Sequence, residues 1–237
     1  MKKVALFIAC LGLMVLAACG GGGGGDGGCG GGCGSSCGGS NKMDGSQGTI
    51  DMYVNGTIKA SYWVTVHKDA ATGQYWETSS EAYGTKTTNR WQIANLDGNT
   101  AIVENQTKMD SEYMMSDYVI AYEVDLSVAM GEVNVKKAWI GKPGEAGKEI
   151  QVMEKPEPVA DGTTTTNYEM TEEAFTDVEM AGGKWSGKLV TIKGDGWESK
   201  SWTGDNGWFG GVIKTEAGGM VTALSAFGTD AKPLLKW

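Results

Sequence analysis

Trp91–Gln106 reads WQIANLDGNTAIVENQ, with Asp97-Gly98 set between two runs of strand-forming residues, Trp91–Leu96 and Thr100–Gln106. An Asp-Gly step supplies the backbone angles of a two-residue hairpin turn, so this stretch predicts two antiparallel strands. Downstream, Tyr118, Ile120, Tyr122 and Val124 alternate with Val119, Ala121, Glu123 and Asp125, the period of a strand with two distinct faces. Upstream, Asn55-Gly56 separates Thr49–Val54 from Thr57–His67 and predicts another hairpin, whose second arm puts Ile58, Ala60, Tyr62, Val64 and Val66 on one face. Gln74–Ala82, Val133–Ile140 and Glu149–Met153 read as further strands. Beyond a Pro/Thr-rich connector near 155–167 come Lys184–Lys193, Trp197–Thr203, Trp208–Glu216 and Met220–Gly228, punctuated by Asp195-Gly196, Asn206-Gly207 and Gly218-Gly219. No long stretch keeps a helical period. Asp110–Asp117 predicts a turn or two of helix, and Thr171–Phe175 a short helix capped by Thr171. The expected fold class is mainly β: an antiparallel curved sheet with at most one or two short helices.

The chain has 237 residues, 41% hydrophobic and 21% charged, which fits one all-β domain behind a non-domain leader. Its formal charge is −9, and Arg90 is the only arginine. An acidic surface repels phosphate backbones, and bidentate phosphate and base recognition favours arginine, so no nucleic-acid partner is expected.

Lys2 and Lys3 precede an apolar run, Val4–Leu16, of 13 residues. That length suits a signal peptide and falls short of the ~20 residues that span a bilayer as a helix. The run ends in Leu16-Ala17-Ala18-Cys19-Gly20, which resembles the lipobox of bacterial lipoproteins. The resemblance implies a signal peptide over 1–18, cleavage after Ala18, and lipidation of Cys19, with palmitate-like acyl chains as the membrane anchor. More than one chain makes such an anchor stable, at about 0.8 kcal/mol per buried methylene. In families of this kind an aspartate after the cysteine favours inner-membrane retention. Gly20 stands there instead, so the implied location is the periplasmic face of the cell outer membrane. Cys10 falls inside the removed segment.

Residues 19–47 read as the acylated cysteine followed by a low-complexity, Gly-rich linker that cannot bury a core. Its expected span is roughly 30 Å. Cys29, Cys33 and Cys37 recur every four residues in it. In an oxidising compartment they are candidates for disulfides within or between chains. They also fit a linker with no use for its thiols, and a metal site would lack a fourth ligand. The tract matches G-x-G-x-x-G trivially, with no strand before it and no helix after.

The domain is expected over 48–237. Its segment 181–228 resembles the closing strands of a group of uncharacterised envelope lipoproteins, through Ala181-Gly182-Gly183, Trp202, Gly210-Gly211-Val212-Ile213-Lys214 and Phe227-Gly228. That group is similar to the lipoprotein-localisation-factor superfold, an open half-barrel of antiparallel strands around an apolar concave face. This chain carries Gly187 where the group often has a cysteine.

Several constellations bear on chemistry. His67 is the only histidine, so a Ser-His-Asp or Cys-His site would have to use it. The simpler reading is a solvent-facing residue at a strand end. No His/Cys cluster or calcium-type loop suggests a metal, and no cofactor motif is present. A pair of Asp or Glu carboxylates for hydrolysis is open in so acidic a chain. Nine tryptophans accompany only four phenylalanines: Trp63, Trp76, Trp91, Trp139, Trp185, Trp197, Trp202, Trp208 and Trp237. Tryptophans on polar faces line carbohydrate or lipid sites, or brace neighbouring strands. The methionines, Met109, Met114 and Met115 among them, suit either an adaptable apolar cavity or a packed core. The leading expectation is a non-catalytic lipid-anchored envelope protein that binds an apolar ligand such as lipid or acyl chains. A protein-interaction module of the envelope is the alternative, and a carboxylate-pair hydrolase a third reading.

Overall fold

The computed structural model describes residues 42–157 and 168–237. Along the chain run β1 (Met43–Asp44), α1 (Ser46–Val54), β2 (Tyr75–Ala82), β3 (Thr85–Asp97), β4 (Thr100–Asp110), β5 (Met114–Asp125) and β6 (Val135–Gly141). They are followed by β7 (Lys148–Ile150), β8 (Glu169–Met180), β9 (Gly183–Gly194), β10 (Trp197–Gly204), β11 (Val212–Ala217) and β12 (Met220–Gly228). All but the short parallel β1–β5 contact pair antiparallel, in one 12-stranded curved sheet ordered β7-β6-β5-β4-β3-β2-β12-β11-β10-β9-β8. It comprises two meanders, β2–β7 and β8–β12, welded where β12 pairs with β2, Phe227 opposite Trp76 and Leu224 opposite Thr78. The sheet does not close, and β7 and β8, consecutive in sequence, end up at opposite edges.

The two halves are built differently. In β4 six consecutive residues, Ala101–Gln106, are buried, so both faces of the strand are covered. One face carries Ile93, Ala101, Val103, Ile120, Tyr122 and Ile140 beneath Ile50 of α1 and Ala60 and Val64 of the following segment. The other carries Ala94, Ile102, Val119 and Ala121 beneath Leu234 and Leu235 of the C-terminal tail. Asn134 fastens the first cover: its Oδ1 accepts from Val64 N at 2.9 Å and its Nδ2 donates to Val64 O at 2.8 Å. By contrast the only buried strand positions in β8–β12 are Gly187, Gly204, Ile213 and Leu224. Most side chains on this meander are half wet. Cross-strand ion pairs (Lys188–Glu172 at 2.8 Å, Lys193–Glu198 at 3.4 Å) line it, each worth little singly in water. At Gly187 a Cβ would run into the carbonyl oxygen of Thr203, so β9 and β10 approach only because no side chain is there.

The Asp97-Gly98 hairpin forms as expected, with Gly98 at φ 56°, and the mainly β class holds. Several local expectations are corrected. Thr49–Val54 is not a strand, because it belongs to α1, and Asn55-Gly56 ends that helix instead of turning a hairpin. Gly56 takes φ 79°, an angle that terminates helices as readily as it makes type I′ turns, and Asn55 Oδ1 accepts from Thr57 N at 3.0 Å. Thr57–His67 is extended but unladdered apart from one bridge, Ala60 to Val152. Its two-residue period is real and comes from lying flat across the sheet. Thr171–Phe175 belongs to the edge strand β8, and Asp110–Asp117 to the end of β4, the turn Ser111–Tyr113 and the start of β5, so neither is helical. β1 and the start of α1 lie inside the 19–47 span read as tether. The signal 1–18, Ala18, Cys19, Cys29, Cys33, Cys37 and most of the connector lie outside the described residues. Among the described residues no helix is long and apolar enough to cross a membrane.

Candidate functional site

Where the meanders join, eight rings form a continuous seam: Tyr122, Trp91, Phe209, His67, Trp208, Trp76, Phe227 and Trp185. Neighbouring centroids lie 5.5–6.4 Å apart, in stacked, tilted and edge-on arrangements. Trp76 is its buried hub, 4% exposed, with Nε1 donating to Val212 O at 2.9 Å. Phe227 is its open end, 43% exposed. The β10–β11 loop delivers Trp208 and Phe209 through backbone that needs glycine. Gly210 and Gly211 take positive φ, and Gly207 packs on Gly211 where a Cβ would collide. Phe209 itself sits at φ 49°, an angle costly for an aromatic residue and held here by contacts on both sides. It is the side chain that packs against the cores of both meanders.

His67 is neither at a strand end nor facing solvent. Its ring stacks on Trp208 and meets Phe209 edge-on. Its Nε2 lies 2.9 Å from Gln74 Oε1, which also accepts from Ala71 N, so the proton is assigned to Nε2. Nδ1 is buried with no partner. Burial holds the ring below the ordinary histidine range, against the pull of Gln74 and Asp69. The neutral ring's contribution is therefore present above that range and lost as pH falls through the folded value. His67→Phe is expected to keep both ring contacts and change stability at neutral pH by about 1 kcal/mol or less. It should flatten the loss of thermal midpoint between pH 7 and 5, measured by calorimetry on both proteins.

The other tryptophans take separate duties. Trp139 packs with the tail-covered face, and Lys214 lies over the Trp202 ring at 5.0 Å. Trp63 donates to Thr65 Oγ1 at 3.2 Å, while Trp197 and Trp237 are exposed.

On the opposite face lies a feature that the sequence did not disclose. Glu104 is 0% exposed, yet its carboxylate is fully engaged. Oε2 accepts from Gln92 Nε2 at 2.7 Å and from Leu234 N at 2.8 Å, and Oε1 from Leu235 N at 2.9 Å. Gln92 also donates to Lys232 O at 2.8 Å and accepts from Arg90 Nε at 3.1 Å. Burial pushes the Glu104 carboxyl up, against these hydrogen bonds and the Arg90 charge. A sequence signal existed, since Glu104 interrupts the apolar run Ala101–Val103, but nothing in the chain pointed to a partner 130 residues on.

Among the described residues no three His, Cys, Asp or Glu side chains gather to hold a metal. Glu104 is the one carboxyl of the described residues raised above its ordinary range, and its lone pairs face the protein's own tail. Two solvent-open recesses, one at the Gly218-Gly219 turn and one between Tyr168 and Asp195, are lined largely by charged residues and glycines. No family model matches the chain, and neither a curated protein nor a solved structure does.

Proposed function

We propose that this is a non-catalytic, lipid-anchored protein of the bacterial cell envelope, held by Cys19 at the periplasmic face of the outer membrane. In this reading it acts as an interaction module that docks another envelope protein on its C-terminal meander. The observation that carries the reading is the contrast between the two halves. Strands β4–β6 of the first meander are covered on both faces, whereas β8–β12 bury four strand positions and offer two half-wet faces and an unpaired β8 edge among the described residues. A sheet that stores so little core is maintained for its surface. An apolar ligand is the second reading, favoured by the aromatic seam that opens at Phe227.

A photo-reactive residue at Ser199 or Thr222, in the full chain expressed in an envelope-bearing host, separates the two. One discrete protein adduct, absent when the probe is moved to exposed Met130, is the expected result. Native mass spectrometry of the detergent-purified chain that shows a stoichiometric lipid beyond the Cys19 acyl groups, with no protein adduct, would favour the apolar ligand instead.

A further inference from the structure

The register of the sheet gathers the hairpin tips at one end. Tyr83-Gly84 joins β2 to β3, Ser111–Tyr113 joins β4 to β5, Asp195-Gly196 joins β9 to β10, and Gly218-Gly219 joins β11 to β12. The pairs Lys86 with Asp110, Thr222 with Ser80 and Ser199 with Ala217 bring all four turns to the same rim. β1 reaches the same rim through Met43 opposite Met114, and Tyr168 precedes β8 there, next to Lys193 of β9.

This rim holds four of the six exposed aromatics of the described residues. The three exposed tyrosines of the described residues, Tyr83, Tyr113 and Tyr168, all lie on it, together with Trp197. Met43, 71% exposed, and Met115, 47% exposed, lie beside Tyr113, itself 76% exposed. Trp197 is held in place, since its indole covers Gly194 where a Cβ would collide. Nothing in the fold requires large apolar side chains at the tips of polar turns. Tyrosine, tryptophan and methionine at such positions suit a boundary that is apolar on one side and wet on the other.

The chain supplies the boundary. The described structure begins at Lys42, on this rim, and Cys19 lies only residues 20–41 before it. A Gly/Ser-rich chain of that length spans about 25 Å. We infer that this rim rests in the headgroup layer of the membrane that holds the Cys19 anchor, so that the domain stands on its hairpin tips. The inference rests on the reading of Cys19 as acylated. The charges nearest the entry point are neutralised locally, Lys42 by Asp110 and Lys142 by Asp44. Glu81, Glu112, Glu169 and Asp195 also lie on the rim, against Lys86 and Lys193, so the fitting surface is zwitterionic and not anionic.

The test uses the full mature chain reconstituted in phosphatidylcholine vesicles with bromine on the acyl chains, which quench indoles lying within the bilayer boundary. Trp197 is the one tryptophan of the nine that flanks these four hairpin turns. The expected result is flotation with the vesicles and quenching of a component equal to one tryptophan, lost in Trp197→Phe while the remaining emission persists. A chain that floats and shows no such component overturns the docked rim and leaves the anchor standing. A component that persists in Trp197→Phe also overturns it. A chain that does not float overturns both the anchor and the inference built on it.

Discussion

Glu104→Ala is expected to cost about 3–5 kcal/mol, the range for breaking one side of a buried charged network. The loss arises because the amides of Leu234 and Leu235 and the Gln92 side chain lose their acceptor together in a site closed to water. At ~2–4 °C per kcal/mol for a domain of this size, the thermal midpoint should fall by roughly 10 °C. Hydrogen exchange at Leu234 and Leu235 should rise well before global unfolding, since the tail would then be held by its contacts with Gly73 and Glu145. Glu104→Gln keeps the volume but turns an amide donor toward a backbone donor, and a smaller loss is expected. It also isolates the pH effect. The folded carboxyl is raised above its ordinary range, so its contribution is fully present below that range and is lost as pH rises through the folded value. The glutamine variant should lack that decline. Equal stability of wild type and Glu104→Ala would show that the tail does not depend on this carboxylate.

Trp76→Ala should be comparably severe, at about 3–5 kcal/mol. Trp76 contacts Trp185, Trp208 and Phe227 and bonds to Val212, so it is the point at which β2, β11, β12 and the β10–β11 loop meet. Its removal leaves a void at the weld between the meanders, while the core under α1 keeps its own contacts. The expected signature is loss of near-ultraviolet dichroism from coupled indoles and early protease cleavage within β8–β12. If the whole domain instead melts in a single transition with unchanged cleavage sites, the two halves are one cooperative unit and the view of a separable C-terminal meander is wrong.

The strands were legible because local chemistry fixes them: Asp97-Gly98 allows little but a tight turn, and the alternation around Tyr122 matches a two-faced environment. What misled were signals with two physical outcomes. Gly56 in a left-handed conformation serves a helix end or a hairpin, and the choice was made by Ile50 docking on the sheet, a contact invisible along the chain. The acids of Thr171–Phe175 suit a first helical turn, but equally blunt an exposed sheet edge against unwanted pairing. The histidine was misplaced for the same reason, since its neighbours Trp208 and Phe209 lie some 140 residues away and enter only through the glycine-shaped loop. Glu104 shows the general limit. A buried carboxylate is recognisable from its apolar flanks, whereas its partners are set by where the other end of the chain comes to rest.

The Glu104 hydrogen bonds to Leu234 and Leu235 also dictate an order of assembly. Each meander is made of neighbours in sequence, so its ladders can form early, as local contacts do. The weld joins β2 to β12, and Glu104 waits for Leu234 and Leu235, 130 and 131 residues further on. A chain delivered N-terminus first therefore carries an unsatisfied carboxylate and one bare sheet face until Leu234 and Leu235 arrive. Completion of the domain waits on Leu234 and Leu235, and a chain cut short near Asp230 leaves Glu104 without its two backbone donors.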